Sequence, residues 1–241
     1  YRCFKHFYLE KVCKHLRHLF PKVVSYNRLV ELEREVAIPL TLFIKKVLLG
    51  KCTGIRFVDS TPLRVCRNQR IHIHKVFKGI AQRGKCSMGW FFGFKLHLIC
   101  NEKGELLNFM ITPGDVDDRK PLEYKAFIEF IYGKLFGDKG YISKNLFQRL
   151  FVDGIQLITK LKSNMKGALM SVSDKLLLRK RVIIETVNDE LKNIAQVEHS
   201  SHRCFDNFIV NLLGAIAAYC LFPKKPCINL NRALDTQLTL F

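Results

Sequence analysis

The stretch Ile55–Ser60 constrains the fold more than any other part of the chain, because the hydrophobic pattern changes there. Before it, residues 1–50 are basic and have apolar residues at helical spacing, with proline or glycine ending successive segments. The stretch itself, Ile-Arg-Phe-Val-Asp-Ser, is typical of a strand. Its acid, Asp59, is either a solvated carboxylate on an edge strand or a metal ligand held by a rigid element.

Beyond this strand, the order of the predicted elements indicates an α/β fold. Residues 61–89 show no clean period, and we expect them to form an extended loop. We expect further strands at 90–100, 105–112, 134–137 and 156–160, helices at 118–132, 143–151 and 182–194, and a loop at 162–173. The order βββ-α-β-α-β-α predicts a mixed sheet preceded by an N-terminal helical region.

The same patterns divide the chain into three regions. Residues 1–50 should form a helical, basic, DNA-binding region, and we expect it to be truncated because the chain starts at Tyr1 rather than Met. Residues 51–200 should form the core, and residues 201–241 a helix and tail that pack on it. The apolar run 205–222 contains polar residues and is shorter than a membrane span of roughly 20 residues, which favours a core helix.

Charge and cysteine content indicate the kind of partner and the compartment. Forty basic and 21 acidic residues give a formal net charge of +19, which favours a polyanion such as DNA; a membrane surface or a ribosome would also attract it. The nine cysteines have irregular spacings and include no Cys-x-x-Cys pair, which indicates reduced thiols in a cytoplasmic protein.

Three acids come together if the predicted strands pair as expected. Asp59 ends the first strand and Asp138 ends the fourth, so parallel pairing of these strands would set the two carboxylates side by side. Glu185, on the helix after the fifth strand, would lean over the same edge. Three such carboxylates repel one another unless a cation shares them, and Mg²⁺ prefers oxygen ligands of this kind. The alternative for either aspartate is capping of a turn.

The residues around these acids resemble those of a known family. The matching motifs are Val58-Asp59-Ser60-Thr61-Pro62, Gly93-Phe94-Lys95-Leu96-His97-Leu98, Pro113-Gly114-Asp115 with Asp118-Arg119, Gly137-Asp138-Lys139-Gly140-Tyr141, and Arg181-x₃-Glu185-x₆-Lys192. Through essentially its whole length the chain resembles DDE transposases of bacterial insertion sequences, with a ribonuclease H-like catalytic core, and is most similar to the insertion-sequence nine-eighty-two family. Relatives have a tyrosine where this chain has Leu178, which bears on DNA handling rather than on the acids.

The resemblance implies a reaction, cofactors and partners. Asp59, Asp138 and Glu185 would be catalytic and would bind two Mg²⁺ or Mn²⁺ ions. The implied reaction is cleavage of the 3′ end of each transposon strand, followed by attack of the freed 3′-hydroxyl on target DNA. Implied partners are the terminal inverted repeats, target DNA and a second copy of the chain, in a bacterial cytoplasm at the nucleoid. A catalytically inactive DNA-binding remnant and a nuclease without strand transfer remain open.

Five basic residues are candidate DNA contacts. Arg181 and Lys192 flank Glu185 on one helix face, where they would contact phosphate or simply form helical ion pairs with Glu185. The others are Lys139, beside Asp138, and Lys95 and His97, which share one face of the second strand. That face either contacts DNA or is merely solvated.

Other clusters favour structural roles. The spacing of Cys66, His72, His74 and Cys86 fits no usual zinc finger. The acids at positions 115, 117 and 118 follow a Pro-Gly pair, which favours a turn and a helix cap. The aromatic run Trp90 to Phe92 suits core packing better than stacking on a flipped base.

Overall fold

The computed structural model describes residues 4–160, 170–198 and 204–229. Within them the strands are β1 Ile55–Cys66, β2 Gln82–Cys86, β3 Gly89–Asn101, β4 Leu106–Pro113, β5 Gly133–Gly137 and β6 Ile155–Thr159. They form one sheet in the order β2–β3–β1–β5–β6, with β4 also paired to β3. β3 is antiparallel to β1, β2 and β4, whereas β5 is parallel to β1 and β6. The expected α/β fold with a mixed sheet is confirmed.

Helices surround this sheet and precede it. The α-helices are α1 Phe4–Phe7, α2 Tyr26–Leu32, α3 Ala37–Phe43, α4 Lys125–Ile128, α5 Lys144–Val152, α6 Val172–Arg179, α7 Val182–Asn193 and α8 Phe205–Cys220. The π-helical segments Tyr8–His15 and Ile44–Leu48 continue α1 and α3. Short 3₁₀ segments are Arg17–Leu19, Glu33–Val36, Asn68–Ile73, Lys120–Glu123 and Lys139–Tyr141. The helices expected at 143–151 and 182–194 and the core helix at 205–222 are confirmed.

The expectation of a loop over residues 61–89 is wrong. β1 continues to Cys66 along β3, and the segment also contains a 3₁₀ turn and β2. No clean period was visible because this half of β1 mixes buried and exposed positions and contains Pro62. β1 pairs with β5 only as far as Phe57, so Pro62 lies where the strand has a neighbour on one side only, which tolerates proline.

The expectation of a continuous helix at 118–132 is also wrong. Its place is taken by the 3₁₀ turn Lys120–Glu123 and the single-turn α4. Between them Tyr124 is extended, at φ −89° and ψ 119°, and after α4 Phe130 adopts a positive φ of 61°. Most of the loop expected at 162–173 lies outside the described residues. Its last two positions, 172 and 173, belong to α6.

The sheet is covered on both faces, so neither face of its central strands is solvated. On one face Phe57 and Leu96 pack with side chains of α7 and α8, including Ile184 and Ile216. On the opposite face, Val58, Ile99 and Leu135 of the strands pack with Phe127 of α4 and with Leu146 and Leu150 of α5. Burial on two faces gives β1 and β3 near-continuous apolar sequence rather than strict alternation.

The N-terminal helices contact α8, on one side of the sheet. Ile44 is fully buried in the cluster that contains α7 and α8. Arg34 Nε donates to Asn207 Oδ1 at 3.3 Å, and the Gly50 amide donates to the carbonyl of Leu106 at 2.8 Å. Among the described residues, no helix is both long enough and apolar enough to cross a bilayer.

Candidate active site

Asp59 and Asp138 lie level with each other on neighbouring parallel strands. Asp138 follows the last residue of β5, whereas Asp59 lies within β1, so the expectation that Asp59 ends the first strand is wrong. β1 and β5 pair in register up to Phe57 opposite Phe136. Each aspartate follows two residues later, so the same register sets Asp59 level with Asp138. Adjacent strands lie about 4.8 Å apart, and the two acids therefore emerge side by side at one sheet edge.

The turn after β5 holds Asp138 against β1. Asp138 caps the 3₁₀ turn Lys139–Tyr141, with Oδ1 accepting from the amide of Gly140 at 2.8 Å. The capping role considered from the sequence is therefore present, and it fixes one carboxylate oxygen of an exposed side chain. A Cβ at Gly137 would lie 3.1 Å from the Tyr141 ring and 3.3 Å from Val58, so glycine permits this close approach.

Helix α7 brings three polar side chains to Asp59. Arg181, at the helix N-terminus, lies with Nη1 3.9 Å from Asp59 Oδ1 and donates through Nη2 to Glu185 Oε1. The guanidinium therefore lies between the first and third candidate acids. The helical pairing of Arg181 with Glu185 considered from the sequence is present, and Arg181 additionally reaches Asp59 across the site.

Asn188 is a site residue that sequence reasoning missed. Its Nδ2 donates to Asp59 Oδ2 at 3.2 Å, and the residue is only 6% exposed. Its Oδ1 is buried and accepts no hydrogen bond from the described residues. Asn188 follows Glu185 by three residues, which is one helical turn, so spacing along the α7 face could have identified it.

The environment of Asp59 disfavours its charged form. Burial is the largest cause, and together with the charges of Asp138 and Glu185 it raises the pKa of Asp59 to about 7. Arg181 and the backbone N–H of Ser60 act in the opposite direction. A carboxyl group with a pKa near 7 at a sheet edge is typical of a functional site, because fixed negative charge there needs a positive partner.

The oxygen atoms at this site suit a hard divalent cation, although the three acids do not form a closed ligand cluster in this structure. Within the described ranges, no three His, Cys, Asp or Glu side chains stand close enough to hold a metal ion. The guanidinium of Arg181 instead bridges two of the acids. Two carboxylates at one sheet edge, Glu185 opposite them and the unpaired Asn188 Oδ1 offer only oxygen ligands, which Mg²⁺ and Mn²⁺ prefer.

Two of the lysines and arginines predicted to contact DNA lie next to the acids. Lys139 is exposed and follows Asp138 directly, and Arg181 contacts Asp59. Lys192 is one-fifth exposed and pairs with Glu198 at 3.3 Å. Leu178, where the resemblance predicts a tyrosine, is buried in the core at 6% exposure, so in this chain the position stabilises α6 rather than meeting a ligand.

The two candidates on β3 need correction. His97 is 1% exposed, and its Nε2 lies 2.8 Å from Thr112 Oγ1, so it neither contacts DNA nor belongs to a solvated face. Burial lowers the pKa of His97 to about 4, so the ring is neutral. Lys95 is mostly buried and donates to Asp118 Oδ1 at 2.9 Å and to the Val116 carbonyl at 2.8 Å. The segment after β4 that carries Val116 and Asp118 therefore covers Lys95.

The possible zinc ligands do not assemble among the described residues. His74 stacks on Phe77, and Cys86 donates to the carbonyl of Gly89 at 3.3 Å. The acids after the Pro-Gly pair form local contacts, with Asp117 bonded to Arg119 at 2.6 Å, as expected for a turn.

Two solved transposase structures are similar to this chain. The cryo-EM structure of the piggyBac transposase synaptic complex with hairpin DNA is 11% identical, with a TM-score of 0.47, over 88% of this chain and 55% of that one. The crystal structure of the catalytic domain of Mos1 mariner transposase is 10% identical, with a TM-score of 0.24, over 83% and 93%. The chain thus spans about half the length of the piggyBac chain. No curated protein matches the sequence.

A family model identifies the chain. The model described as "Transposase DDE domain" matches residues 49–205, which is well over half of the sequence and includes Asp59, Asp138 and Glu185. Membership of the nine-eighty-two group within the insertion sequences stays a prediction. The chain belongs to the Transposase DDE domain family.

Proposed function

We propose that the chain cleaves DNA at the ends of an insertion sequence and joins the freed 3′-hydroxyl to target DNA. The observation that carries this proposal is the level placement of Asp59 and Asp138 on paired parallel strands, with Glu185 linked to Asp59 through Arg181. Family membership supports the same reaction class.

The proposed roles of the site residues follow from their surroundings. Asp59, Asp138 and Glu185 bind two Mg²⁺ or Mn²⁺ ions. Such ions supply a nucleophile by acidifying bound water, or by activating a 3′-hydroxyl, and offset the charge on the leaving oxygen. Asn188 orients the Asp59 carboxylate from the opposite side.

Arg181 has a proposed role in each of two states. Without metal it neutralises Asp59 and Glu185, which would otherwise repel each other. When cations replace it there, its planar guanidinium becomes available to a DNA phosphate, which it can bind with two parallel hydrogen bonds. This exchange explains how acids without a closed ligand cluster belong to a metal-dependent enzyme.

DNA is the proposed partner, as terminal inverted repeats and as target. The net charge of +19 favours a polyanion, and Lys139 and Arg181 lie beside the acids, where they can contact phosphates. Lys192, farther along α7, is a further candidate contact. We propose residues 51–200 as the catalytic core, residues 1–50 as an additional DNA-binding region, and residues 201–241 as a C-terminal region whose helix α8 packs on the core; residues 201–203 and 230–241 lie outside the described residues. Pairing of two element ends suggests a homodimer, acting in the cytoplasm at the nucleoid.

The test uses a labelled element-end duplex, Mg²⁺ or Mn²⁺, and a control substitution at an exposed aspartate of α7. Asp59→Asn and Asp138→Asn should abolish cleavage while DNA affinity changes less than about twofold, because neither acid contributes favourably to phosphate binding. The control is Asp189→Asn, which makes the same change at an exposed position of α7 and should cleave normally. Normal cleavage by either site variant contradicts the proposal.

A second substrate separates the transposase from the two alternatives. Pre-cleaved ends with a free 3′-hydroxyl, offered with a supercoiled plasmid, should give joined products in the wild type. Cleavage without joining would identify a nuclease that lacks strand transfer. Neither reaction with either metal would identify a DNA-binding remnant.

A further inference from the structure

The hairpin of β2 and β3 exposes the one tryptophan of the chain. Trp90 lies opposite Lys85 in the antiparallel pair and is 52% exposed. Its two neighbours, Phe91 and Phe92, are buried at 1% and 9%. Core packing, favoured from the sequence for all three aromatics, therefore holds for Phe91 and Phe92 and is wrong for Trp90.

Two cations lie over the Trp90 ring. Arg83 Cζ is 5.0 Å and Lys85 Nζ is 5.8 Å from its centroid. Within the part of the chain that the structure describes, neither cation forms an ion pair with a carboxylate. Stacking of this kind orients the ring and leaves both positive charges available to an anion.

Backbone contacts hold this hairpin in place. A Cβ at Gly84 would lie 2.0 Å from the carbonyl oxygen of Gly114, so β2 lies directly against the end of β4. On the same side Phe91 is buried. Trp90, Arg83 and Lys85 are thus presented on a supported element, which reduces the entropy lost when a ligand binds.

The hairpin borders a cleft that reaches the turn after β5. Its lining includes Arg83, Lys85 and Trp90 of the hairpin together with Lys95 and Gly140. The amide of Gly140 donates to Asp138 Oδ1, so the cleft extends to the turn that carries this acid. A nucleotide on Trp90 would therefore lie on the Asp138 side of the candidate site.

We propose that this cleft binds an unpaired DNA base stacked on Trp90, with the adjoining phosphates held by Arg83 and Lys85. The inference rests on the proposed function in that it takes DNA as the substrate. Bases in a duplex already stack on each other and do not expose their faces, whereas an unpaired base does. An aromatic ring with adjacent cations suits single-stranded DNA, because the ring stacks on a base while the cations contact phosphates of the backbone.

The unique tryptophan makes direct measurement possible. In buffer with EDTA, a duplex carrying a short single-stranded 3′ extension should quench Trp90 fluorescence and protect it from acrylamide. A blunt duplex of equal length should do neither. Equal quenching by both DNAs, or no quenching by the extended one, overturns the proposal. So does quenching by an acidic peptide but by neither DNA.

Variants measured by anisotropy of labelled DNA complete the test. Trp90→Ala should bind the extended duplex about thirtyfold more weakly, the middle of the usual range for loss of one base stack, and the blunt duplex unchanged. Trp90→Phe should bind both within about twofold because a ring remains. The matched control is Phe151→Ala, which removes an exposed ring from α5.

The outcomes separate this inference from the proposed function. If Trp90→Ala does not fold, Trp90→Phe and acrylamide protection in the wild type decide. Equal weakening for both DNAs, or none, contradicts base stacking even if the enzyme cleaves and joins DNA. Weaker binding of Trp90→Ala to the extended duplex alone supports base stacking. If the wild type then neither cleaves nor joins DNA, only the proposed function is overturned.

Discussion

The amide of Asn188 donates to Asp59 Oδ2 at 3.2 Å, joining α7 to β1 across 129 positions of sequence. The contact fixes one oxygen of the carboxylate that the proposed reaction needs most. It also leaves Asn188 Oδ1 buried and unpaired among the described residues. A buried polar atom without a partner is costly, which argues that a ligand or a bound water meets it during function.

Asn188→Ala should slow cleavage without weakening DNA binding. Loss of the residue that orients a metal-binding carboxylate typically costs about 10- to 100-fold in metal affinity or activity. We therefore expect single-turnover cleavage to fall at least tenfold at low Mg²⁺ and to recover in part at high Mg²⁺. Unchanged metal dependence, or a loss of DNA affinity instead, would show that Asn188 does not position Asp59.

Asp59→Asn should stabilise the metal-free fold at alkaline pH. The pKa of Asp59 is raised to about 7 from 3.8, so its charged form is disfavoured in the folded state. That free-energy penalty is absent below the pKa that Asp59 has in the unfolded chain and complete above the pKa that it has in the folded protein. Above pH 7 in EDTA, the variant should gain on the order of 4 kcal/mol, because the shift of about three pKa units is the net of burial, the neighbouring acids and the opposing Arg181 contact.

Urea unfolding at two pH values checks this. Wild type and Asp59→Asn should differ at about pH 8 and converge near pH 4. Asp189→Asn, an exposed acid on α7, is the control and should match the wild type at both. A variant that is less stable than wild type at pH 8 would show that Asp59 is not disfavoured by its surroundings.

His97 should make stability depend on pH in a different window. Burial lowers its pKa to about 4 from 6.5, so the folded protein keeps the ring neutral while the unfolded chain binds a proton. Stability is lost as pH falls from 6.5 to 4, by roughly 3 kcal/mol in all. His97→Gln should lack this acid-dependent loss of stability, so the stability of the variant relative to the wild type should improve as the pH falls. Parallel stability profiles of the two proteins against pH would contradict the role of His97.

A pair of glycine substitutions tests the contact between β1 and β3. At Gly93, φ is +156° and a Cβ would lie 2.0 Å from the Leu63 carbonyl oxygen. Gly93→Ala should lower the free energy of unfolding by roughly 3 kcal/mol, because backbone on both strands must shift. Gly214, on α8, has nothing within 4 Å of such a Cβ, and Gly214→Ala should raise stability by about 0.5–1 kcal/mol. Equal effects would contradict the strand register.

The parallel neighbourhood of β1 and β5, and with it the side-by-side placement of Asp59 and Asp138, could be expected because it follows from local pattern. Asp59 and Asp138 each end a short apolar run, and parallel strands bring such ends together. The flanking motifs then identified the family. Neither argument required knowledge of which residues pack together far apart in sequence.

The sequence predicts a residue's surroundings wrongly where both faces of the sheet are buried, or where contacts between residues distant in sequence decide the environment. His97 alternates with Leu96 and Leu98 and was assigned to an open face, but the side of the sheet that carries it is covered. Trp90 was grouped with Phe91 although it lies outside the core. Arg181 as a bridge between acids is a tertiary relationship that spacing along α7 does not contain.

The central claim is that Asp59, Asp138 and Glu185 hold the divalent ions of a DNA-cleaving site. Electron paramagnetic resonance of Mn²⁺, titrated into the complex with element-end DNA, counts bound ions directly. Two ions per chain should bind the wild type and Asp189→Asn, and the double variant Asp59→Asn with Asp138→Asn should bind neither. Retention of both ions by the double variant would contradict the account.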